Sequence, residues 1–313
     1  MEMRIARAGL MTTVQDLGRT GHRASGVPRS GPMDLFAFRV ANLLVGNSED
    51  AAGLEITLSG PELEFSEAAR IAICGAEFSG LQSWRPLDVA AGARVRFAEC
   101  RKGCRAYLAV AGGISVPPVL GSRSTYLRGG LGGFHGRALC DGDVLEIGSG
   151  PKGQAQRGPA ASFFVAPSLL PAYAASPTLR VVRGAQAGEF DGSLFAEEFV
   201  VTPHSDRMGL RLSGRAIVRR SGGELASAPV APGTIQVPPD GQPIVLMADA
   251  QSLGGYPQAA HVAAVDLPVL AQVCPGDLVR FREVPLEEAQ FLILRREREL
   301  AILREGVRQR LNP

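Results

Sequence analysis

The sequence predicts a mainly β protein with two domains and a few helices. Its 313 residues are enough for two cores, because a single hydrophobic core stops growing at roughly 250 to 300 residues. The 38 glycines and 22 prolines are too many for a helical protein. Short runs rich in Val, Ile and Thr, bounded by turns, recur about every ten residues, which is typical of a barrel or a sandwich.

The first half of the chain contains strands and one helix. Four runs show the alternation or the continuous apolar character of strands: 54–58, 62–65, 70–74 and 94–97. Apolar residues at helical spacing predict a helix over 33–44. Ser30 or Gly31 is expected to cap its start, and Gly46 with Asn47 to end it.

The second half again has the pattern of short strands. Four runs are predicted to be extended: 179–182, 199–201, 233–237 and 244–247. The sequence Pro-Pro-Asp-Gly at 238–241 predicts a turn that joins the last two into a hairpin. Similar glycine turns at Gly92, Gly142 and Gly276 each lead into an alternating strand, as expected if the domains are repeats.

A change of composition marks the predicted domain boundary. Residues 149 to 178 are rich in Gly, Pro and Ala, which indicates a linker or a surface crossing. The tail is amphipathic and rich in Arg and Glu, as in a surface helix. We therefore predict a first β domain, a linker or crossing segment, a second β domain and a C-terminal helix, with these bounds: 1–150, 151–178, 179–285 and 286–313.

Charge and cysteine content exclude several classes of function. A net charge of +2, from 33 basic and 31 acidic residues, gives no field for nucleic acid. No run approaches the ~18 to 20 apolar residues that cross a bilayer, so no membrane association is expected. Five cysteines in apolar contexts, with no apolar signal region at the N-terminus, predict a cytoplasmic protein. The four histidines lack metal-ligand spacing, so no metal is predicted.

The first candidate site lies in segments 14–19 and 26–34. Together they supply acids, an amide, an arginine and flexible backbone: Gln15, Asp16, Arg19, Ser30, Gly31 and Asp34. A glycine-containing loop that opens a helix offers N–H donors and a positive dipole end, which suit a carboxylate or a phosphate-like group. The alternative is structural, with Asp16 and Arg19 as an ion pair and Ser30 as a helix cap.

A second polar segment follows an apolar strand far downstream. It contains Asp249, Gln251 and Tyr256, at the point where a buried strand delivers side chains to a pocket mouth. Asp206 and Arg207 place an acid beside a base in another loop, where a structural ion pair is the alternative. We expect the two distant polar segments to meet at one site. The glycine-rich run 129–133 lacks the ending of a P-loop and is interpreted as a flexible loop.

Four motifs, in this order along the chain, resemble one family. They are Val-Gln-Asp-Leu-Gly-Arg at 14–19, Gly-Val-Pro-Arg-Ser-Gly-Pro-Met-Asp at 26–34, Ser-Asp-Arg-Met-Gly at 205–209, and 236–243 leading into Asp-Ala-Gln-Ser-Leu-Gly-Gly-Tyr-Pro at 249–257. They resemble the biotin-dependent carboxyltransferase, or allophanate hydrolase subunit 2, family. Its bacterial members include the C subunit of 5-oxoprolinase and the kinase-inhibitor antagonist protein.

The resemblance implies a fold, an activity and partners. The fold is two cyclophilin-like β-barrel domains with a few helices. The activity is ATP-dependent opening of 5-oxo-L-proline to L-glutamate, performed only together with the A subunit and a kinase-inhibitor-like B subunit of the 5-oxoprolinase complex. ATP, with Mg, is expected at a site shared with the partner or on the partner, and neither a bound metal nor a biotin attachment is expected in this chain.

The resemblance also implies roles for the motif residues. Asp16 and Asp34 are acid–base or orienting candidates, and Asp249 and Gln251 would polarise or position the ring amide. The residues expected to bind substrate are Gln15, Arg19, Ser30, Gly31, Asp206, Arg207, Gln236 and Tyr256.

Two alternatives to the oxoprolinase hypothesis remain open. One is a biotin-dependent carboxyltransferase or an allophanate/urea-type amidohydrolase subunit. The other is a non-enzymatic antagonist of a kinase-inhibitor partner. The polar motifs favour an enzyme, because an interface alone would prefer aromatic anchors, and this chain has 1 Trp and 4 Tyr.

Overall fold

A computed structural model describes residues 1–149 and 163–311 of the chain. Two compact units are present, the first made of Met1–Arg19, Ser30–Leu170 and Arg298–Pro313, and the second of Thr20–Arg29 and Pro171–Glu297. The predicted fold class, mainly β with a few helices, is confirmed.

The predicted domain bounds remain a prediction. The proposed linker falls in part outside the described residues, since the structure describes nothing between 150 and 162.

The strands of the first unit pair in two sheets. In chain order they are β1 (Glu2–Arg7), β2 (Met11–Gln15), β3 (Gly53–Thr57), β4 (Glu62–Phe65), β5 (Ala69–Phe78), β6 (Pro86–Val89), β7 (Arg94–Arg96), β8 (Cys100–Val110), β9 (Ile114–Ser115) and β10 (Val144–Ile147). One five-stranded sheet has the order β7-β4-β1-β10-β9 and the other β2-β3-β8-β5-β6. Apolar side chains of both sheets, such as Ile5, Leu54 and Leu108, form one hydrophobic cluster. The four strands predicted in this half are confirmed as β3, β4, β5 and β7, although Leu58 and Phe97 lie just past the ends of β3 and β7.

Helix α1 (Leu35–Leu44) confirms the helix predicted over 33–44. The prediction that Ser30 or Gly31 caps it was wrong, because Asp34 is the N-cap and its Oδ1 accepts a hydrogen bond from Ala37 N at 2.8 Å. Ser30 and Gly31 instead adopt left-handed backbone angles, with φ of 56° and 89°, which keep them out of the helix.

The second unit contains a closed barrel. Its strands are β11 (Thr178–Arg183), β12 (Phe199–Val201), β13 (Gly209–Ser213), β14 (Ala228–Pro229), β15 (Thr234–Gln236), β16 (Ile244–Leu246), β17 (Leu253–Gly254), β18 (Gln258–Val262) and β19 (Leu278–Glu283). The barrel order is β11-β18-β15-β16-β13-β12-β19, and β11 and β19 close it by parallel pairing. Strands β14 and β17 form a separate pair. The predicted hairpin is confirmed, since β15 and β16 are antiparallel neighbours.

The remaining helices follow α1 in the chain. They are α2 (Ser193–Ala196), α3 (Leu267–Leu270) and α4 (Leu286–Leu311). Single 3-10 turns lie at Arg23–Ser25, Leu127–Gly129, Pro167–Leu169, Ala187–Glu189 and Ala264–Asp266. Helix α4 lies where the C-terminal helix was predicted. Its Leu300 and Val307 are buried, whereas Phe291 and Leu294 are exposed. Within 1–149 and 163–311, no helix combines the length and apolar character needed to span a membrane.

Candidate functional site

The two halves of the first motif pack against each other in the first unit. Gly31 packs against the backbone of the residues that follow β2. A Cβ added at Gly31 would sit 3.2 Å from Gly18 N and 3.3 Å from Asp16 O. This close approach, together with a φ of 89°, explains why a glycine stands at this position. Segment 30–34 and the residues after β2 therefore form one local structure, although ten residues separate them in the chain.

The carboxylate of Asp16 is the centre of this structure. Its Oδ1 accepts hydrogen bonds from Ser122 Oγ at 2.6 Å, Ser124 Oγ at 2.7 Å and Gly18 N at 2.9 Å. Its Oδ2 accepts from the backbone N–H of Arg123. Asp16 is buried, and a buried carboxylate is stable only when donors of this kind surround it. The alternative of a structural Asp16–Arg19 ion pair stays a prediction.

Arg19 is 1% exposed, and its Nη2 donates to the carbonyl oxygen of Ser124. The glycine-rich loop packs directly on it. A Cβ added at Gly132 would overlap Ser124 O and lie 2.7 Å from Arg19 Nη2. The loop was interpreted as a flexible connection, but Gly132 is required for the close packing that holds the arginine.

Gly132→Ala is therefore expected to destabilise the protein more than Gly130→Ala. Both glycines have left-handed φ angles, of 67° and 60°, which cost an alanine about 1–2 kcal/mol. Only the Cβ at Gly132 meets other atoms, since nothing lies within 4 Å of one at Gly130. Thermal and urea unfolding of the two variants would measure the difference, and equal losses of stability would contradict the packing argument.

Segment 30–34 is also held by Glu55 and Tyr107, two residues outside the sequence motifs. Met33 N donates to Glu55 Oε2 at 2.8 Å, and Asp34 N donates to Tyr107 Oη at 2.7 Å. The Asp34 carboxylate caps α1. The acid–base role predicted for it remains a prediction. Ser30 Oγ is buried without a hydrogen-bond partner among the described residues.

Gln15 is the last residue of β2, the strand that pairs with β3, and its side chain is fully buried. Its Nε2 donates to Thr13 Oγ1 at 3.0 Å and to Thr125 O at 3.3 Å. Its Oε1 is buried and has no partner within the part of the chain that the structure describes. A buried amide oxygen without a partner is costly and is one of the features that mark binding sites.

The second polar segment lies in the second unit and contains a buried ion pair. Arg207 Nε donates to Asp249 Oδ2 at 2.8 Å, and Arg207 Nη2 donates to Asp249 Oδ1 at 3.2 Å. Asp249 N also donates to Arg207 O at 2.8 Å. Both oxygens of this carboxylate therefore accept from one guanidinium, and the role predicted for Asp249 on substrate stays a prediction.

The other predicted residues of this unit differ in exposure. Asp206 is exposed, and its Oδ1 accepts from Met208 N at 2.8 Å and Gly209 N at 3.1 Å, as in an Asx turn. Gln236 is buried and its Nε2 donates to Tyr256 O at 3.1 Å. Gln251 is half-buried.

Tyr256 is 47% exposed and lines a cavity of about 860 Å³. The same cavity is lined by motif residues 237–241 and by residues 216–219. This volume is ample for a small ligand, since ligand pockets run from about 300 to 1,000 Å³.

The predicted site residues thus form two groups. Gln15, Asp16, Arg19, Ser30, Gly31 and Asp34 lie in the first unit, and Asp206, Arg207, Gln236, Asp249, Gln251 and Tyr256 lie in the second. The expectation that the two groups meet at one site stays a prediction. Sequence reasoning missed Ser122 and Ser124, although the run Gly-Ser-Arg-Ser-Thr at 121–125 was a detectable polar signal.

The described residues of the glycine-rich loop do not fit ATP. A triphosphate needs accessible backbone N–H groups around an open cradle. In this loop the N–H groups of Gly130, Leu131 and Gly133 instead donate to Leu127 O, Tyr126 O and Arg123 O of the same chain. No group of three or more His, Cys, Asp or Glu side chains among the described residues is placed to hold a metal ion.

Comparisons with known proteins give a consistent result. Residues 25–283 match the family described as the carboxyltransferase domain, subdomain A and B. The chain is 40% identical over 298 residues to the C subunit of 5-oxoprolinase from Escherichia coli (strain K12), a match that covers 92% of this chain and 93% of that protein. It is 35% identical over 301 residues to the 5-oxoprolinase C subunit of Haemophilus influenzae, with 92% of each covered.

A solved structure also resembles the whole chain. The structure of the Kluyveromyces lactis urea carboxylase superposes with a TM-score of 0.88 at 32% identity and covers 98% of this chain. The chain corresponds to 29% of that larger protein.

Proposed function

The chain belongs to the family of the carboxyltransferase domain, subdomain A and B, and on that premise we propose that it is the C subunit of an ATP-dependent 5-oxoprolinase. The complex opens 5-oxo-L-proline to L-glutamate. The observation that carries the proposal is the identity to two 5-oxoprolinase C subunits over nearly the full length of both. Since those relatives are named as subunits, we further propose that this chain acts only with the A subunit and a kinase-inhibitor-like B subunit.

The geometry of the first unit suits the carboxylate of 5-oxoproline. Arg19 carries a permanent positive charge, and the residues just before it in the chain, Asp16 and Gly18, pack against Gly31. We assign recognition of the substrate carboxylate to Arg19 and the Ser30–Gly31 turn. Gln15 Oε1, a buried acceptor, suits the N–H of the lactam. Asp16 orients this structure through its contacts with the serines of 122–124.

In ring opening, water adds to the carbonyl carbon and gives up a proton, so that negative charge develops on the carbonyl oxygen. The amide C–N bond then breaks as the nitrogen takes up a proton and becomes the amine of glutamate. Preorganised donors that face this oxygen lower the barrier. Within the second unit, we assign substrate contact to Gln251, Asp206, Gln236 and Tyr256, with Asp249 and Arg207 holding the loop that carries Gln251. ATP, with Mg, is assigned to a partner protein of the complex, since the loop most like a phosphate cradle in this chain uses the N–H groups of Gly130, Leu131 and Gly133 for its own hydrogen bonds.

The test is glutamate release from 5-oxoproline and ATP by a mixture of this chain with the proposed A and B subunits. We expect glutamate only in the complete mixture. Mixtures that lack one protein at a time serve as controls. Equal release without this chain would contradict the proposal, and a stable complex with no release would instead favour a non-enzymatic antagonist.

A carboxyltransferase is the second candidate, because the urea carboxylase structure superposes on nearly the whole chain. Under that hypothesis the chain accepts a carboxyl group from biotin on a separate carrier protein. Product formation that requires bicarbonate and an added biotinylated carrier would support it. Turnover of 5-oxoproline in bicarbonate-depleted buffer without a carrier would support the oxoprolinase instead.

A further inference from the structure

We propose that Glu55 and Tyr107 are positioning residues that hold segment 30–34 in its substrate-binding shape. This inference rests on the proposed function, which assigns substrate binding to Ser30 and Gly31. Neither residue belongs to a sequence motif of the family resemblance, and neither is near those motifs in the chain.

The two residues lie side by side in the middle of a sheet. The register pairs Thr13 with Glu55, Glu55 with Tyr107, and Tyr107 with Cys74, across β2, β3, β8 and β5. Directly paired residues point to the same face of a sheet. The four side chains therefore form a row on one face, and each is at most 1% exposed. On the opposite face, Leu54 and Leu108 belong to the hydrophobic cluster.

The row is connected to segment 30–34 by hydrogen bonds to consecutive backbone groups. Glu55 Oε2 accepts from Met33 N at 2.8 Å and from Tyr107 Oη at 2.8 Å. Tyr107 Oη in turn accepts from Asp34 N at 2.7 Å. Two sequential N–H groups are thus held by two side chains that also bond each other, which fixes both the position and the direction of the segment.

A segment of this shape needs such support. Ser30 has a φ of 56°, and a non-glycine residue in this region is strained, so it persists only where the surroundings enforce it. Hydrogen bonds to a carboxylate are among the stronger ones in proteins. The contacts of Glu55 and Tyr107 therefore offset the strain of the turn.

The chemistry of the pair sets the direction of the hydrogen bonds. Burial raises the pKa of Tyr107 well above its usual value, and the nearby charges of Glu55 and Asp34 raise it further. The phenol thus stays protonated and donates to Glu55. Its ring packs edge-on against Phe38 of α1, with the ring centroids 6.0 Å apart, so a phenylalanine at 107 keeps the packing and loses the hydrogen bonds alone.

The test is Tyr107→Phe in the complete enzyme complex. We expect the KM for 5-oxoproline to rise about five- to tenfold. This is the expected effect of losing the hydrogen bond from Asp34 N, which holds the binding geometry. The KM for ATP and kcat are expected to change less than about twofold, because the segment is assigned to substrate binding.

The matched control is Thr12→Val. It removes another buried hydroxyl from the same sheet, one whose hydrogen bond runs to Ala8 O at 2.7 Å instead of to segment 30–34. Thr12→Val is expected to lose similar stability with an unchanged KM for 5-oxoproline. Equal KM changes in both variants, or none in Tyr107→Phe, would overturn the proposal.

A second pair of variants tests Glu55. Glu55→Gln keeps an oxygen that accepts from Met33 N and Tyr107 Oη, and is expected to keep the KM within about threefold of the wild-type value. Glu55→Ala removes the acceptor and is expected to raise the KM at least as much as Tyr107→Phe. An unaffected KM in a folded Glu55→Ala protein would overturn the assignment.

Hydrogen exchange of the isolated chain separates this inference from the proposed function. If the wild-type complex releases no glutamate, the proposed function fails, but the exchange of the Met33 and Asp34 amides remains measurable. Faster exchange at these amides in Tyr107→Phe than in Thr12→Val supports the positioning of the segment. Equal exchange in the two variants overturns it.

Discussion

Replacing Asp249 with alanine is expected to lower the free energy of unfolding by about 3–5 kcal/mol, the usual cost of leaving one partner of a buried ion pair uncompensated. The carboxylate accepts two hydrogen bonds from Arg207, at 2.8 and 3.2 Å, and both side chains are about nineteen-twentieths buried. Its removal deprives the buried Arg207 guanidinium of both of these hydrogen bonds. Urea unfolding of the chain would measure the loss.

The neighbouring acid provides a control for Asp249. Asp206 is exposed and accepts from the backbone N–H groups of Met208 and Gly209. Asp206→Ala is therefore expected to cost only about 1 kcal/mol. A loss as large as that of Asp249→Ala would show that the burial of the ion pair is not the cause.

A double variant separates the structural part of Asp249 from a part in turnover. Arg207→Met with Asp249→Leu replaces the pair by apolar groups of similar volume, and such replacements are often neutral or stabilising. We expect this protein to fold and to release glutamate at least about tenfold more slowly, because the loop that carries Gln251 loses its positioning contacts. Wild-type turnover by the folded double variant would contradict the role proposed for this loop.

The sequence was informative where the signal was local. Alternation and turn residues located β3, β4 and the hairpin of β15 and β16, since these patterns depend on neighbours in the chain. The ordered motifs were specific enough to identify the family, and the match over residues 25–283 confirms it. Segments 14–19 and 26–34 were placed in one candidate site because both are rich in glycine and polar residues. In the structure Gly31 packs against the residues after β2.

The contacts that the sequence did not reveal are those made over long distances in the chain. The serines that bind Asp16 lie 106 and 108 residues away from it. Glu55 stands in an alternating strand, a pattern that predicts a solvent-facing acid. It is buried because α1 and segment 30–34 cover that face of the sheet, and no property of β3 itself indicates such a cover.

The position of the helix cap shows how local rules also compete. Ser30, Gly31 and Asp34 are all acceptable N-cap residues. The structure selects Asp34, because left-handed backbone at Ser30 and Gly31 is needed for packing against Asp16 and Gly18. A tertiary contact thus decided among caps that sequence alone could not rank.

Asp16→Ala is expected to cost about 3 kcal/mol or more of stability and to abolish detectable glutamate release. Four donors point at this carboxylate, from Ser122, Ser124, Gly18 and Arg123. Each hydrogen bond to a charged group contributes about 1.5–3 kcal/mol, and each donor left buried without a partner adds a desolvation cost. Asp16→Asn keeps one acceptor oxygen, and its loss of stability is expected to be about half that of Asp16→Ala. Urea unfolding and the glutamate assay would measure both effects.

The control for Asp16 is an aspartate with several hydrogen bonds elsewhere in the same unit. Asp143 accepts from Arg137 at 2.6 and 2.8 Å and from Cys140 N at 2.7 Å. Hydrogen bonding from Arg137 lowers the pKa of Asp143, so its contribution to stability is present above about pH 4 and is lost as the pH falls through the lowered value. At pH 7 and a temperature where it stays folded, Asp143→Ala is expected to lose stability and to keep its KM for 5-oxoproline. If instead Asp143→Ala impaired turnover as much as Asp16→Asn, the effect of Asp16 would reflect general destabilisation and not its place beside the substrate.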